Sequence, residues 1–334
     1  MEHIWASLVI IVWNSKVHIP KFFSALERQT LQNFEIILID NGSTDASLDG
    51  LEARLSNYYL TIKHLSTNLG FAVANNIGAQ LARGEWIILL NADAYPEPDW
   101  LENLLKAAEQ NPQYNFFSSR QIQYNDPHLL DGAGDEYHVS GLAWRRFYNH
   151  AENEYGLEQD EVFGACAAAA MYRREDFLKV GGFDEDYFSY FEDVDLSFRL
   201  RLAGGRCLYV SDAVVHHVGS ASTGKLSDFV IYHGHRNLVW SYFKDMPGFL
   251  FWLYLPLHLL MNLFFIISFM LKGKGMIILK AKIDAIRGLT SVLKKRKDIQ
   301  KTRLVSLKEI SRFMRKGILD PYWAARQRRQ EETR

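Results

Sequence analysis

Cysteine is scarce: Cys166 and Cys207 are the only two in 334 residues, and they form no CxxC pair. This excludes a zinc knuckle and a disulfide framework, and it fits a reducing compartment. A net excess of either charge is also missing. With a formal charge of -1 and 48% hydrophobic residues, neither a disordered chain nor a nucleic-acid binder is expected. No GxGxxG follows the first apolar run, so a dinucleotide cofactor of the usual kind is not expected. Internal repeats and low-complexity tracts are absent as well. The first apolar run ends at Asn14 with no basic stretch before it, so no signal peptide is expected and the chain should start in the cytoplasm.

Unbroken apolar runs of strand length recur. Residues 7–13, 35–39 and 86–90 each read as a strand buried on both faces, and 60–65 reads as a further strand. Helical patterns at 18–32, 45–57, 71–83 and 97–110 alternate with them, which predicts βαβ units and a mostly parallel sheet covered on both sides. Residues 125–135 read as a loop, and 137–240 as a less regular α+β half. From Met246 to Leu271 no Asp, Glu, Lys or Arg occurs. That is long enough to span a bilayer, although Pro247, Pro256, His258 and Asn262 interrupt it, and a buried helical hairpin is the bland reading. Beyond it the balance turns basic: 19 Lys/Arg stand against 6 Asp/Glu from Lys272 onward. The expected division is therefore 1–240 as a catalytic domain and 241–334 as a helical, membrane-associating region.

Chemistry concentrates where strands end. In an open α/β sheet, ligands bind beyond the carboxyl ends of the strands. The run 35–39 leads into Asp40-Asn41-Gly42-Ser43-Thr44-Asp45, and 86–90 into Asn91-Ala92-Asp93. A turn and helix cap accounts for Asp45 but not for Asp40, which leaves a buried strand and can accept hydrogen bonds from a base or ribose. Asp93 is a candidate oxygen ligand for Mg²⁺ or Mn²⁺, and His216, in an apolar strand, a candidate nitrogen ligand better suited to Mn²⁺. By the alternation of a strand, His217 is expected to face the opposite side. Glu192, Asp193 and Asp195 crowd together beside Tyr187, Phe188, Tyr190 and Phe191. An acidic first helical turn would explain them, but an apolar surround also raises a carboxylate's pKa and makes it a proton acceptor near neutral pH.

In order along the chain, Trp13-Asn14, Ile39 to Asp45, Asn68-Leu69-Gly70-Phe71 with Asn75-Asn76, Leu90 to Asp93, Gly181 to Asp184, Glu192 to Leu196, the His216 strand and Arg236-Asn237 resemble glycosyltransferase family 2, in its bacterial rhamnosyltransferase-like branch. The resemblance covers roughly the first 240 residues. It implies a GT-A fold and inverting transfer of a sugar from a nucleotide sugar to a hydroxyl of a lipid-linked glycan in cell-surface polysaccharide synthesis. Rhamnose is the sugar the branch suggests. It also implies Asp193 as the base with Glu192 beside it, and Asp93 with His216 holding Mn²⁺ or Mg²⁺. Asn14, Asp40, Asn41, Asn68, Gly70, Asn75, Asn91 and Asp93 would line the donor site. Asn91 departs from the pattern by replacing the first acid of DxD.

A sugar-phosphate nucleotidyltransferase and a membrane-tethered, sugar-binding pseudoenzyme stay open as alternatives. Trp13-Asn14-Ser15-Lys16 is a poor match to the basic glycine-rich loop of the former. Asp40, Asp93, Glu192, Asp193 and His216 are intact, which argues against the latter. The expected partners are a nucleotide sugar, a glycan acceptor and the cytoplasmic membrane leaflet, with no nucleic acid and with a homo-oligomer left open. A single span through 247–271 would carry the basic tail outside, against the positive-inside tendency. A monotopic or peripheral attachment to the cytoplasmic face is expected instead, with Arg287, Lys294, Lys295, Arg296 and Lys297 toward anionic lipid.

Overall fold

The computed structural model describes residues 5–219 and 227–329, the side chains of 325–329 excepted. The first half alternates as expected: β1 (Ala6–Val12), α1 (Ile19–Glu27), β2 (Phe34–Asp40), α2 (Leu51–Arg54), β3 (Tyr59–His64), α3 (Phe71–Leu81), β4 (Trp86–Leu90), β5 (Ala94–Pro96) and α4 (Trp100–Gln110). Then come β6 (Phe116–Gln123), β7 (Leu130–Gly132), β8 (Asp135–His138), β9 (Ala143–Arg145), β10 (Asp160–Val162), β11 (Ala169–Arg173), α5 (Arg174–Lys179), a 3₁₀ turn at Glu185–Tyr187, α6 (Glu192–Leu202) and β12 (Cys207–His217). The chain closes with α7 (Asp228–Asp245), α8 (Gly248–Leu271), α9 (Gly275–Lys301), α10 (Leu307–Arg312), β13 (Met314–Arg315) and α11 (Asp320–Arg329).

The main sheet runs β10-β12-β6-β11-β4-β1-β2-β3. Strands β4, β1, β2 and β3 are parallel neighbours, whereas β11 lies antiparallel between β4 and β6. Leu8, Ile10, Ile36, Leu38 and Ile88 are at most 1% exposed and pack under the helices. Burying each such side chain is worth about 1.5–3 kcal/mol, which is why these runs become central strands. A small sheet, β13-β8-β9, stands beside the carboxyl ends of the main one.

Two expected elements differ. The helix expected over 45–57 shrinks to the single turn of α2. Asp45 turns its carboxylate back to accept from the amides of Lys16 and Ser47, and Gly50 takes φ +77° just before the turn. The segment 125–135, expected as loop, contains β7 paired antiparallel with β6. Helix α7 runs unbroken through position 240 and packs against α6 and α9.

Candidate functional site

A cavity of about 680 Å³ opens beyond the carboxyl ends of β1, β2 and β4, and Asn41, Asn68, Gly70, Asn91, Asp93, Glu192 and Asp193 all line it. Asn41 is buried where β2 ends. Its amide donates to Asn68 Oδ1 at 2.9 Å and to the Gly70 carbonyl at 3.3 Å, while its Oδ1 accepts from the Leu69 amide. Gly70 has φ +88°, and a Cβ there would lie 2.6 Å from the Phe188 ring, so the close approach requires glycine. Asp40, expected at the donor site, closes β2 and does not line the cavity. Its carboxylate accepts from the Ser43 amide and pairs with His64 at 2.9 Å. Burial opposes its charge, but the His64 and Ser43 hydrogen bonds outweigh this and lower the pKa.

Two more expected donor-site residues have other partners. Asn14, at φ +48°, accepts from the Thr44 amide and so locks the β1 and β2 loops together. Asn75 donates to the Phe71 carbonyl one turn back within α3. Neither lines the cavity.

The histidine that reaches Asp93 is His217, not His216. His217 is 4% exposed, with Nε2 3.5 Å from Asp93 Oδ1 and Nδ1 2.7 Å from Asp131. His216 points to the other face and pairs with Glu97 at 2.7 Å. Neighbouring strand residues face opposite ways, so one of the two must point inward, and the parity follows the register of β12. That register shifts at an irregularity between Val210 and Val214. Asp131 also pairs with Arg145, making a row Asp93–His217–Asp131–Arg145, buried at its centre and part-exposed at both ends, that leads toward the acidic cluster. Burial alone would lower the pKa of His217. The charge and hydrogen bond of Asp131, followed by those of Asp93, outweigh it and push the pKa up to about 9.

The three carboxylates of α6 divide between two roles. Asp195 is fully buried and accepts from Arg199 Nε at 2.8 Å, and it pairs with Lys244 at 2.5 Å. It is structural. Asp193 faces the cavity and accepts from the amides of Ala167 at 3.2 Å and Val194 at 2.9 Å. Burial is the strongest influence on Asp193 and raises its pKa, against those amides and the Arg145 charge. Burial and the charge of Asp193 push Glu192 higher still, and its Oε2 lacks a hydrogen-bond partner within the protein. The two carboxylates thus face one cavity with both of their pKa values raised, Glu192 more than Asp193.

A sheet that gathers Asp40, Asn41 and Asp93 at its carboxyl edge, with a raised-pKa carboxylate lining the cavity there, defines a GT-A glycosyltransferase. A model of the family described as Glycosyl transferase family 2 matches residues 7–181. The chain belongs to that family. It is 32% identical over 248 residues to the N-acetylglucosaminyl-diphospho-decaprenol L-rhamnosyltransferase of Mycobacterium tuberculosis, covering 65% of this chain and 77% of that protein. Among solved structures it resembles GalNAc-T7 with UDP, GalNAc and Mn²⁺, with a TM-score of 0.59 at 19% identity, over 72% of this chain and 48% of that one. It also resembles Staphylococcus aureus TarS 1–349 in complex with UDP, with a TM-score of 0.54 at 16% identity, over 97% of this chain and 87% of that one. These two likenesses concern the fold.

Proposed function

We propose that the protein transfers a sugar, rhamnose in the reading its mycobacterial relative favours, from a nucleoside-diphosphate donor to a hydroxyl of a lipid-linked glycan. The observation that carries this reading is Asp193, a buried carboxylate with a raised pKa that lines the same cavity as Asp93 and His217. Asp193 takes the proton of the acceptor hydroxyl as that oxygen attacks the anomeric carbon. Base catalysis of this kind contributes about 10²–10⁴-fold. The deprotonated oxygen forms its bond as the bond to the diphosphate breaks, giving one displacement and inversion. Glu192 donates a hydrogen bond that orients the acceptor.

Asp93 and His217 suit a divalent cation. Among the described residues no three His, Cys, Asp or Glu side chains gather to hold one unaided, and Mg²⁺ and Mn²⁺ ordinarily take one or two protein ligands together with phosphate oxygens and water. The hydrogen bond between Asp131 and His217 Nδ1 fixes the ring so that Nε2 faces Asp93, the arrangement typical of a histidine ligand backed by a carboxylate. A bound cation would neutralise charge on the leaving diphosphate. Family membership sets aside the nucleotidyltransferase alternative.

The C-terminal helices support attachment to a membrane surface. On α8, Trp252, Leu260 and Leu271 are 61–84% exposed, and Met276 and Ile286 continue that apolar face on α9. The opposite side is bonded to the catalytic body: His258 pairs with the Ser140 carbonyl at 2.8 Å, and Lys295 with Asp184 and Asp186. A hairpin held in this way lies on the cytoplasmic leaflet and does not cross it. Lys295 and Arg296 thereby leave the expected lipid-facing set, since Arg296 donates to the Phe243 and Met246 carbonyls. Arg287, Lys294 and Lys297 remain exposed.

The test is incubation with dTDP-rhamnose, Mn²⁺ and a polyprenyl-diphosphate-linked N-acetylglucosamine, with UDP and GDP sugars in parallel. A metal-dependent glycolipid product whose anomeric configuration is inverted by NMR supports the reading. A retained configuration, or no transfer from any donor, overturns it.

A further inference from the structure

Four residues join the 3₁₀ turn Glu185–Tyr187 to α6, and their backbone is unusual. Phe188, Tyr190 and Phe191 have φ of +64°, +68° and +70°. Left-handed backbone is uncommon outside glycine, and bulky side chains make it more so. Phe188 has ψ -62°, and the Ser189 amide donates to the Tyr187 carbonyl at 2.8 Å. This is the γ-turn of positive φ, the rare and strained form. Backbone of this kind persists only where its surroundings over-determine it.

Those surroundings come from α7. Asn237 is 0% exposed, and its side-chain amide donates to the carbonyls of Tyr187 at 3.0 Å, Ser189 at 3.0 Å and Tyr190 at 2.7 Å. Arg236 donates to the Asp186 and Tyr187 carbonyls at 2.9 and 3.0 Å, and its Nε holds Asn237 Oδ1 at 2.9 Å, fixing which way the amide points. On the other side the Phe188 carbonyl accepts from the Phe71 amide at 2.7 Å, at the start of α3 on the donor wall. The loop is clasped between the donor site and the C-terminal helices, and Glu192 and Asp193 follow it directly.

We infer that Asn237 is a positioning residue for the transfer reaction, acting through the loop 187–191 on the carboxylate of Asp193. The inference rests on the reading of Asp193 as the base. It also makes α7, and through it the membrane-facing hairpin, part of the catalytic apparatus. Removing the amide takes the donor from three carbonyls at once. The loop then relaxes toward ordinary backbone and carries the first turn of α6 with it. A displacement of about 1 Å at a reacting group costs about 10²-fold in rate.

The full-length protein is assayed with dTDP-rhamnose, Mn²⁺ and the lipid-linked acceptor, or with whichever donor supports transfer. Asn237→Ala is expected to lower kcat by about 10²-fold while dTDP-rhamnose Kd changes by less than about twofold. Adding Phe191→Gly, which accepts positive φ without strain, is expected to recover about tenfold of the lost kcat. Arg236→Lys keeps a donor but loses the fork, and should fall between. The inference is overturned if Asn237→Ala binds donor normally and keeps kcat within about threefold. It is also overturned if donor affinity and kcat fall together and Phe191→Gly restores neither, the pattern of a purely structural contact. Asp193→Asn runs alongside: full turnover in that variant strikes the assignment of Asp193 itself, and loss of turnover leaves the Asn237 result to stand or fall alone.

Discussion

The imidazole of His217 lies between the carboxylates of Asp131 and Asp93, and its proton sets how the proposed metal site should respond to pH. With a pKa pushed up to about 9, the ring is protonated at neutral pH in the metal-free protein, and a cation must displace that proton from Nε2. Mn²⁺ affinity measured by calorimetry should therefore rise between pH 6.5 and 8.5, by about tenfold per unit at most. The same shift has a stability consequence of opposite sign. A raised folded-state pKa contributes stability fully below about 6.5, and the metal-free protein loses it as pH rises through about 9. His217→Ala should abolish the metal dependence of transfer, and His216→Ala should leave it nearly intact, with metal titrations of activity as the readout. The reverse order would show that the inward-facing histidine has been misassigned. That Asn41, Asp93 and Asp193 would face one cavity was legible because each lies just past a recognisable strand or opens a helix. His217 was half legible: the pair of histidines announces one inward residue without saying which. Asp131 meets His217 from β7, and Arg145 meets Asp131 from β9, short strands whose placement depends on the folded body and left no periodic signal.

Helix α6 mixes, in one turn, a carboxylate held in ion pairs with two that face the cavity. Asp195 points into a buried ionic group with Arg199, Lys244 and Asp184, in which Lys244 is 1% exposed and 2.5 Å from both Asp184 and Asp195. Lys244→Met leaves two carboxylates buried with one cation fewer. Breaking a buried pair from one side costs about 3–5 kcal/mol, so a clear fall in Tm is expected. Near-wild-type melting would show that the remaining cations, Arg199 and Lys295, suffice. Burial opposes the charge of Asp184, but the Lys244 and Lys295 ammonium groups more than offset it and hold its pKa well below the carboxylate range. That stability is present above pH 3.8 and is lost as pH falls below it, so acid should detach α7 and α9 from the catalytic body early in unfolding. The acidic run at 192–195 was readable as a cluster. Its partition was not, because Lys244 lies 49 positions away from Asp195 in the chain and its approach is decided by tertiary packing.

Across the whole molecule, the parallel core was the most legible part, since a strand buried on both faces leaves an unbroken apolar run. The antiparallel strand β11 and the small sheet β13-β8-β9 were not, being short and set by partners distant in sequence. The apolar run at 248–271 was legible as a long apolar helix, and two of the positions that seemed to interrupt it became its links to the body: His258 reaches Ser140, and Asn262 reaches His258 and Lys282. The outward face should drive membrane binding. Trp252→Glu with Leu260→Glu should reduce co-sedimentation with anionic vesicles by well over tenfold, since each buried side chain of this type is worth about 1.5–3 kcal/mol. Unchanged binding would place the contact elsewhere.

Asp193 is the point at which fold, electrostatics and function meet, and its conversion to asparagine tests the account most directly. The variant keeps the side chain's shape and loses the capacity to take a proton. Transfer by Asp193→Asn is to be compared with wild type at saturating donor and acceptor, with donor Kd measured on the same preparations. The account predicts a fall in kcat of about 10²-fold or more with donor Kd essentially unchanged. Turnover equal to wild type would contradict it.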